Sequence, residues 1–269
     1  MIIKKNNSLE YFVPENINGK KAAAVFATRL GGVSEGCAVG SLNLTGFGGK
    51  YDKAENVKKN YGIIAGELGF SVNNIIYAHQ KHTDNILVAD EKFLGSPLPL
   101  PDNYIFDAMV TNVPGLVLTA KTADCAPVLF YDGENGAVGA AHCGWRGTVQ
   151  GLQIKTALKM REIYGTDLKK LKAAVGPCIS KCCYEVSGEF HDNFVNKLGG
   201  AIKEFFVCKP DGKYMCDLKS INRYILMREL NGGNIEISDN CTCCEPGLFY
   251  SYRRDGENRG GHAAFIALK

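Results

Sequence analysis

The sequence predicts a single α+β domain across residues 1–269, with mixed β-sheets flanked by helices. Three observations predict it. Runs rich in β-branched and aromatic residues outnumber segments with helical periodicity, the two kinds do not alternate strictly, and no linker rich in proline, serine or charge interrupts the chain. Strict alternation would point to a doubly wound parallel sheet instead. With 269 residues and 45% hydrophobic content, the chain can fill a sizeable core.

Taken in order, the first strand is Ala22–Ala27. From Asp52, the residues Ala54, Val57, Tyr61, Ile64 and Leu68 recur at steps of three and four, with Asp52 and Glu55 spaced as a capping box and Gly69 as the stop. Strands follow at Ile75–Ala78, Ile86–Val88, Leu116–Ala120, Val128–Tyr131 and Ala137–Ala141, the last two joined by the hairpin stretch Asp132-Gly133-Glu134-Asn135-Gly136. Weaker helical patterns run over Val149–Tyr164, Ser187–Leu198 and Asp217–Leu230. Strands Ala173–Val175, Ile235–Ile237, Phe249–Arg253 and Ala263–Leu268 complete the reading. No repeat at a fixed period is present.

Charge narrows the function classes. The 31 basic and 28 acidic residues are too balanced for a protein whose main partner is nucleic acid. Met1–Lys21 has no apolar run long enough for a signal peptide or a membrane span, so a cytoplasmic protein without a membrane partner is expected. Eleven cysteines, an odd number in a chain this long, suit reduced thiols and metal ligation better than a disulfide framework.

Three strand ends offer metal-ligand types: Gln80-Lys81-His82-Thr83, Thr122-Ala123-Asp124-Cys125 and Ala141-His142-Cys143-Gly144. Zinc enzymes draw three ligands from His, Cys and carboxylates and keep a fourth position open. By spacing alone the signal is weak, because a lone His or Cys is more often merely packed or solvated.

Six motifs occur in a fixed order: Arg29-Leu30-Gly31-Gly32-Val33-Ser34, Gln80-Lys81-His82, Thr122 to Pro127, Ala141 to Gly147, Gly176-Pro177-Cys178-Ile179 with Tyr184-Glu185-Val186, and Phe249 to Asp255. Together, from Phe26 to Leu268, the chain resembles the laccase-domain family, formerly called multicopper polyphenol oxidases. The resemblance implies layered mixed sheets, a zinc-dependent purine nucleoside phosphorylase that also deaminates adenosine, and metal ligation by His82, Cys125 and His142. Copper is the alternative metal. The sequence departs from the family at Lys81 and Thr83, where Val and Gly are common, and at Asn258-Arg259-Gly260-Gly261, where the family's last arginine falls at Gly261.

The residue chemistry agrees with that resemblance. A His/Cys/His site with an open position acidifies water for attack on C6 of adenosine. Phosphorolysis needs an oxyanion pocket, and Gly144–Gly147 precede a helix expected near Val149, where free N–H groups favour phosphate. Arg146 can add a bidentate contact, or else be a surface arginine beside a packing Trp145. Arg29, Arg253 and Arg254 are further anion candidates, and of two adjacent strand arginines one faces away. Arg29 and Asp124 join Cys125 as catalytic candidates, with Asp124 either an acid–base group or an orienter of a ligand. Gln80 and Asn43 are candidates for substrate contact, with loop and turn roles as their plain alternatives.

Purine nucleosides and phosphate are thus the expected partners. Two rivals remain: a copper oxidase, against which the five histidines argue, and a cysteine hydrolase using Cys125 with His82 or His142 as base. A metal that only staples a binding module would add a fourth protein ligand such as Cys143 or His79. Cys178-x3-Cys182-Cys183 and Cys241-x-Cys243-Cys244 offer the ligand types of a second, structural zinc site, but the second spacing is too tight for an ordinary zinc knuckle, so small buried thiols or a redox-sensitive patch are the expected reading.

Overall fold

Strands buried on both faces organise the chain, in a computed structural model that describes residues 1–17, 19, 21–36, 38–47 and 52–269. In chain order they begin with β1 (Ile2–Asn6), β2 (Leu9–Val13), β3 (Ala22–Ala27), helix α1 (Ala54–Leu68), β4 (Ile75–Ile76), β5 (Ile86–Val88) and β6 (Ala108–Thr111). Next come β7 (Val117–Thr122), β8 (Ala126–Asp132), β9 (Ala137–Cys143), α2 (Trp145–Val149), α3 (Leu152–Tyr164), β10 (Lys172–Val175), β11 (Glu185–Val186) and α4 (Gly188–Leu198). The chain ends with β12 (Phe206–Cys208), β13 (Tyr214–Cys216), α5 (Leu218–Leu226), β14 (Ile235–Ile237), α6 (Tyr252–Asp255) and β15 (His262–Leu268).

Two six-stranded mixed sheets, ordered β1-β2-β3-β15-β7-β4 and β14-β10-β8-β9-β6-β5, stack on each other, beside a three-stranded sheet β11-β13-β12. Alternation along β15 explains the layers. Ala264, Ile266 and Leu268 enter the core between the large sheets, whereas Ala263, Phe265 and Ala267 meet Val57, Tyr61 and Ile64 of α1. In the facing sheet, Leu129 of β8 points inward while Val128 and Phe130 pack on Leu152, Ala157 and Met160 of α3. Both faces of the inner strands of each large sheet are therefore covered, which is why these strands read as continuous apolar runs, whereas the edge strand β1 is exposed.

Several sequence expectations change. Asp52 does not cap α1: Lys53 is the N-cap residue, and the Asp52 carboxylate instead accepts from Ser34 Oγ at 2.6 Å and Asn43 Nδ2 at 2.9 Å. The helix expected over Val149–Tyr164 is split into α2 and α3 by Gly151, whose φ of 75° breaks the helical run. Phe249–Arg253 is not a strand. Phe249 and Tyr250 are buried, Ser251 Oγ accepts from Arg254 N at 3.2 Å, and α6 begins there, so a local cap overrides the β-propensity of the aromatic residues. The Asp132–Ala137 hairpin forms as expected between antiparallel β8 and β9. No described helix is long and apolar enough to cross a membrane.

Candidate metal centre and active site

Asp107, just before β6, organises the centre. Its buried carboxylate accepts from the backbone N–H groups of Lys81 (3.1 Å), His82 (3.1 Å) and Thr83 (2.7 Å) and from Thr83 Oγ1 (2.8 Å). This clasp bends the loop after β4 so tightly that His82 takes a φ of 59°. The same carboxylate meets His142 Nδ1 at 2.9 Å, leaving the other ring nitrogen of His142 for a metal. His142 lies on β9 and its N–H donates to Asp107 O at 2.7 Å.

Cys125 arrives from a third direction, where the chain leaves β7 in one large sheet and enters β8 in the other. The donor atoms of His82, Cys125 and His142 all lie within 4.8 Å of one another, with Cys125 Sγ 3.8 Å from His82 Nε2. Gly144 leaves this space open, since a Cβ there would sit 2.8 Å from His82 Cδ2 and 2.9 Å from Cys125 Sγ. One soft and two imidazole donors, one of them oriented by a carboxylate, fit a zinc-type ion. Neither Cys143 nor His79 joins the set. Cys143 is buried in apolar core, and His79 Nε2 pairs with Leu100 O at 2.8 Å.

Electrostatics favour the ligating thiolate and carboxylate, whereas at His142 burial is outweighed by the Cys125 and Asp107 partners, which raise the imidazole to about 9, so a metal must displace its proton. Burial opposes ionisation of Cys125, yet His142 and His82 beside it bring its thiol down to about 6. Burial also opposes charge on Asp107, but the His142 contact and the Thr83 hydrogen bonds bring its carboxyl down to about 2.

The donors open on a cavity of about 490 Å³ lined by Asp124, Trp145, Tyr184, Tyr252 and three arginines, Arg146, Arg253 and Arg259. Arg146 lies over the Trp145 ring at 4.4 Å, and Arg253 over Tyr184 at 5.3 Å, with its Nη1 donating to Glu185 O at 2.9 Å. Arg259 lies over Tyr252 at 4.9 Å, and its buried Nε lacks a hydrogen-bond partner. Burial presses the Arg259 guanidinium below its ordinary value, with Asp124 and Cys125 opposing.

Other expected site residues face elsewhere. Gln80 spends both ends of its amide on the Lys121 backbone, at 2.9 Å and 2.8 Å. Asn43 is buried between Asp52, Thr45 and Gly261. Arg29 is bound to Gly40 O and Pro246 O and lies over Tyr250 at 4.6 Å. Arg254 is held by the carbonyls of Thr242, Cys243 and Phe249 and by Asp255. Of the two adjacent arginines, Arg253 therefore lines the cavity, on a helical turn and not on a strand. Asp124 borders the cavity, but its carboxylate already accepts from Thr242 Oγ1, Ser251 Oγ and Arg253 N, so it anchors α6. The helix start expected near Val149 is instead the five-residue α2, Trp145–Val149, whose N-cap is Gly144 beside His82 and Cys125.

Residues 23–269 match the family described as multi-copper polyphenol oxidoreductase laccase. The chain belongs to this family. A purine nucleoside phosphorylase of Bacteroides thetaiotaomicron is 34% identical over 237 residues, 87% of this chain and 86% of the relative. Adenosine deaminase RL5, from an unknown prokaryotic organism, is 32% identical over 239 residues, 87% of this chain and 90% of the relative. The crystal structure of hypothetical protein YfiH from Bacillus licheniformis superposes with a TM-score of 0.90 at 32% identity, covering 99% of each chain. This family's fold is the layered α+β arrangement described above.

Two residues of the site escape residue-type reasoning. Asp107 follows Tyr104-Ile105-Phe106, a context without any ligand pattern, and only its place beside two distant loops makes it the hub. Arg259 stands two positions before the place where the family's arginine is expected, yet its side chain reaches the cavity.

Proposed function

We propose that the chain is a cytoplasmic, zinc-dependent purine nucleoside phosphorylase that converts adenosine, inosine, guanosine or methylthioadenosine and phosphate to a purine base and the sugar 1-phosphate, with adenosine deamination at the same site. One observation supports this above the rest: a three-donor His/Cys/His set opens on a cavity walled by Arg146, Arg253 and Arg259. The names of the relatives point the same way. Zinc held by His82, Cys125 and His142 would supply a Lewis acid with one open position.

The chain's own residues do the remaining work. The three guanidiniums bind phosphate and stabilise the charge it carries as it attacks the sugar, and Arg259 Nε is a donor still to be satisfied. Trp145, Tyr184 and Tyr252, which line the cavity, offer aromatic contact to a purine. A cavity near 490 Å³ suits a nucleoside plus an anion. Asp107 fixes the His142 ring, and Asp124 fixes the turn that carries Arg253.

Copper oxidation of phenols fits less well. Of the five histidines only His82 and His142 converge, whereas His191 stacks on Tyr214 at 4.1 Å and His262 is buried against Phe249. A cysteine hydrolase has one observation in its favour, Cys125 Sγ 3.8 Å from His82 Nε2. Chelation separates it from the metal reading, since nucleophilic catalysis survives loss of the ion.

The test is chromatographic. Wild type and the Arg146→Ala, Arg253→Ala and Arg259→Ala variants are incubated with adenosine, with and without phosphate. Wild type should release adenine only with phosphate and form inosine in either case. The variants should lose base release by about 100-fold, at the scale of a lost charge-stabilising donor, and deamination much less. Base release without phosphate would make the enzyme a hydrolase, and no nucleoside turnover would sink the proposal.

A further inference from the structure

Four cysteines outside the His82–Cys125–His142 set come together on two loops. The Sγ atoms of Cys182, Cys183, Cys241 and Cys244 all lie within 4.8 Å of one another, and Cys244 is 3.2 Å from Cys182 and 3.1 Å from Cys183. The backbone zips the loops together. Cys178 and Cys241 form an isolated parallel bridge, Thr242 N donates to Cys178 O at 3.3 Å, and Ser180 N donates to Cys241 Sγ at 3.4 Å.

The structure also corrects the spacing read from the sequence. With Cys243 set aside, Cys241 and Cys244 have the C-x2-C spacing of a zinc loop. Cys178, the partner that a C-x3-C spacing with Cys182 suggests, is buried among apolar residues of the α3 side. Adjacent Cys182 and Cys183 supply the other two donors.

We propose that Cys182, Cys183, Cys241 and Cys244 hold one tetrahedral zinc ion, a second and structural metal site. Four sulfurs on one such ion, with Zn–S near 2.3 Å, stand roughly 3.8 Å apart, a spacing between the 3.1 Å shortest contact and the 4.8 Å span of the cluster. An iron–sulfur cluster would interpose its own sulfides and hold its cysteines farther apart. The contacts are also well beyond the ~2.05 Å of a disulfide bond. Thiolates crowded together need a cation to offset their charge, and the N–H of Ser180 on Cys241 Sγ is the outer hydrogen bond that ligating sulfurs receive. Cys182 and Cys244 are exposed, so an ion can enter from solvent. A full set of four protein donors leaves no position for substrate, which makes the site a staple.

What it staples is the cavity wall. Arg253 Nη1 donates to Cys183 O and Glu185 O on one loop. On the other, Thr242 Oγ1 donates to Asp124, which in turn accepts from Arg253 N. The ion thus positions Arg253 from both sides without touching substrate.

The test uses the full chain purified anaerobically under reducing conditions, read by elemental analysis and zinc X-ray absorption. Wild type should carry two zinc equivalents, a His82→Ala/His142→Ala variant one, and a Cys182→Ser/Cys244→Ser variant one. The zinc left in the histidine variant should show only sulfur neighbours, at about 2.3 Å. That variant keeps all four cysteines, so it decides the matter even if the serine variant does not fold. Absence of zinc from it, a shell containing nitrogen or oxygen, or a Cys244 disulfide in the alkylated wild type would overturn the proposal. None of these readouts depends on nucleoside turnover, so failure here and failure of the phosphorylase reading are separate results.

Discussion

A single carboxylate sets the geometry of the His82–Cys125–His142 donor set. Asp107 holds the His82 loop by three backbone N–H groups and His142 by its ring, so one substitution should disturb two ligands at once. Asp107→Asn is expected to weaken zinc binding by about 10–100-fold, the usual effect of losing an outer-shell partner. Competition titration against a metal indicator measures it, and an unchanged affinity would remove Asp107 from this role. Gly144 makes a complementary case, because an added methyl group would occupy the space between His82 and Cys125. Gly144→Ala should therefore lose metal while keeping the secondary structure, as elemental analysis and circular dichroism would report together. At this scale the convergence of His82, Cys125 and His142 was legible through the family resemblance of the motifs that carry them, not through their spacing. It did not reveal Asp107 or separate Arg253 from Arg254, because those roles depend on which distant backbone groups each side chain meets.

Among elements, the long strands and the helices with clear periodicity were legible, while short pieces governed by tertiary contacts were not. β3 matches its expected bounds because its buried small and branched residues end at clear turns, and β5 and β14 match theirs despite being three residues long and only partly buried. The stretch at Phe249–Arg253 has the composition of a strand, yet Asp124 and Ser251 satisfy its N–H groups and start α6. β6 was missed because Ala108-Met109-Val110-Thr111 is short and weakly marked. The β8–β9 hairpin was legible through Asp132, whose carboxylate accepts from Glu134 N at 2.9 Å and Asn135 N at 3.1 Å. Burial raises the Asp132 carboxyl, but the Asn135 hydrogen bonds outweigh it and hold the group below its ordinary value. Its stabilising effect is therefore present above the unfolded pKa of about 4 and is lost as pH falls through that value toward the folded one. Asp132→Asn should cost about 1–2 kcal/mol at neutral pH, and the difference from wild type should shrink by pH 3 in urea unfolding. A constant difference across that range would show that charge on Asp132 is irrelevant.

On the scale of the whole molecule, the apolar cores stand without the metal centre. The clusters between the large sheets, under α1 and under α3 are filled by strand and helix residues, with the donors at one end of the sandwich. Chelation should therefore abolish nucleoside turnover but leave the far-ultraviolet spectrum close to that of the holoenzyme, and added zinc should restore activity. Collapse of the spectrum on chelation would contradict this separation. The place where the chain changes sheets carries a further consequence. Among the described residues no hydrogen-bonded ladder joins the two large sheets, so side-chain packing, scattered polar contacts and the chain crossings fix how far one can slide over the other. Cys125 lies at a crossing from the first sheet to the second, His82 lies on another such crossing between β4 and β5, and His142 stands on the second sheet itself. A slip of one residue, about 3.4 Å, would pull these donors out of reach of a common ion. A metal held by all three would thus act as a key for the relative register of the two sheets, locking the sandwich against shear.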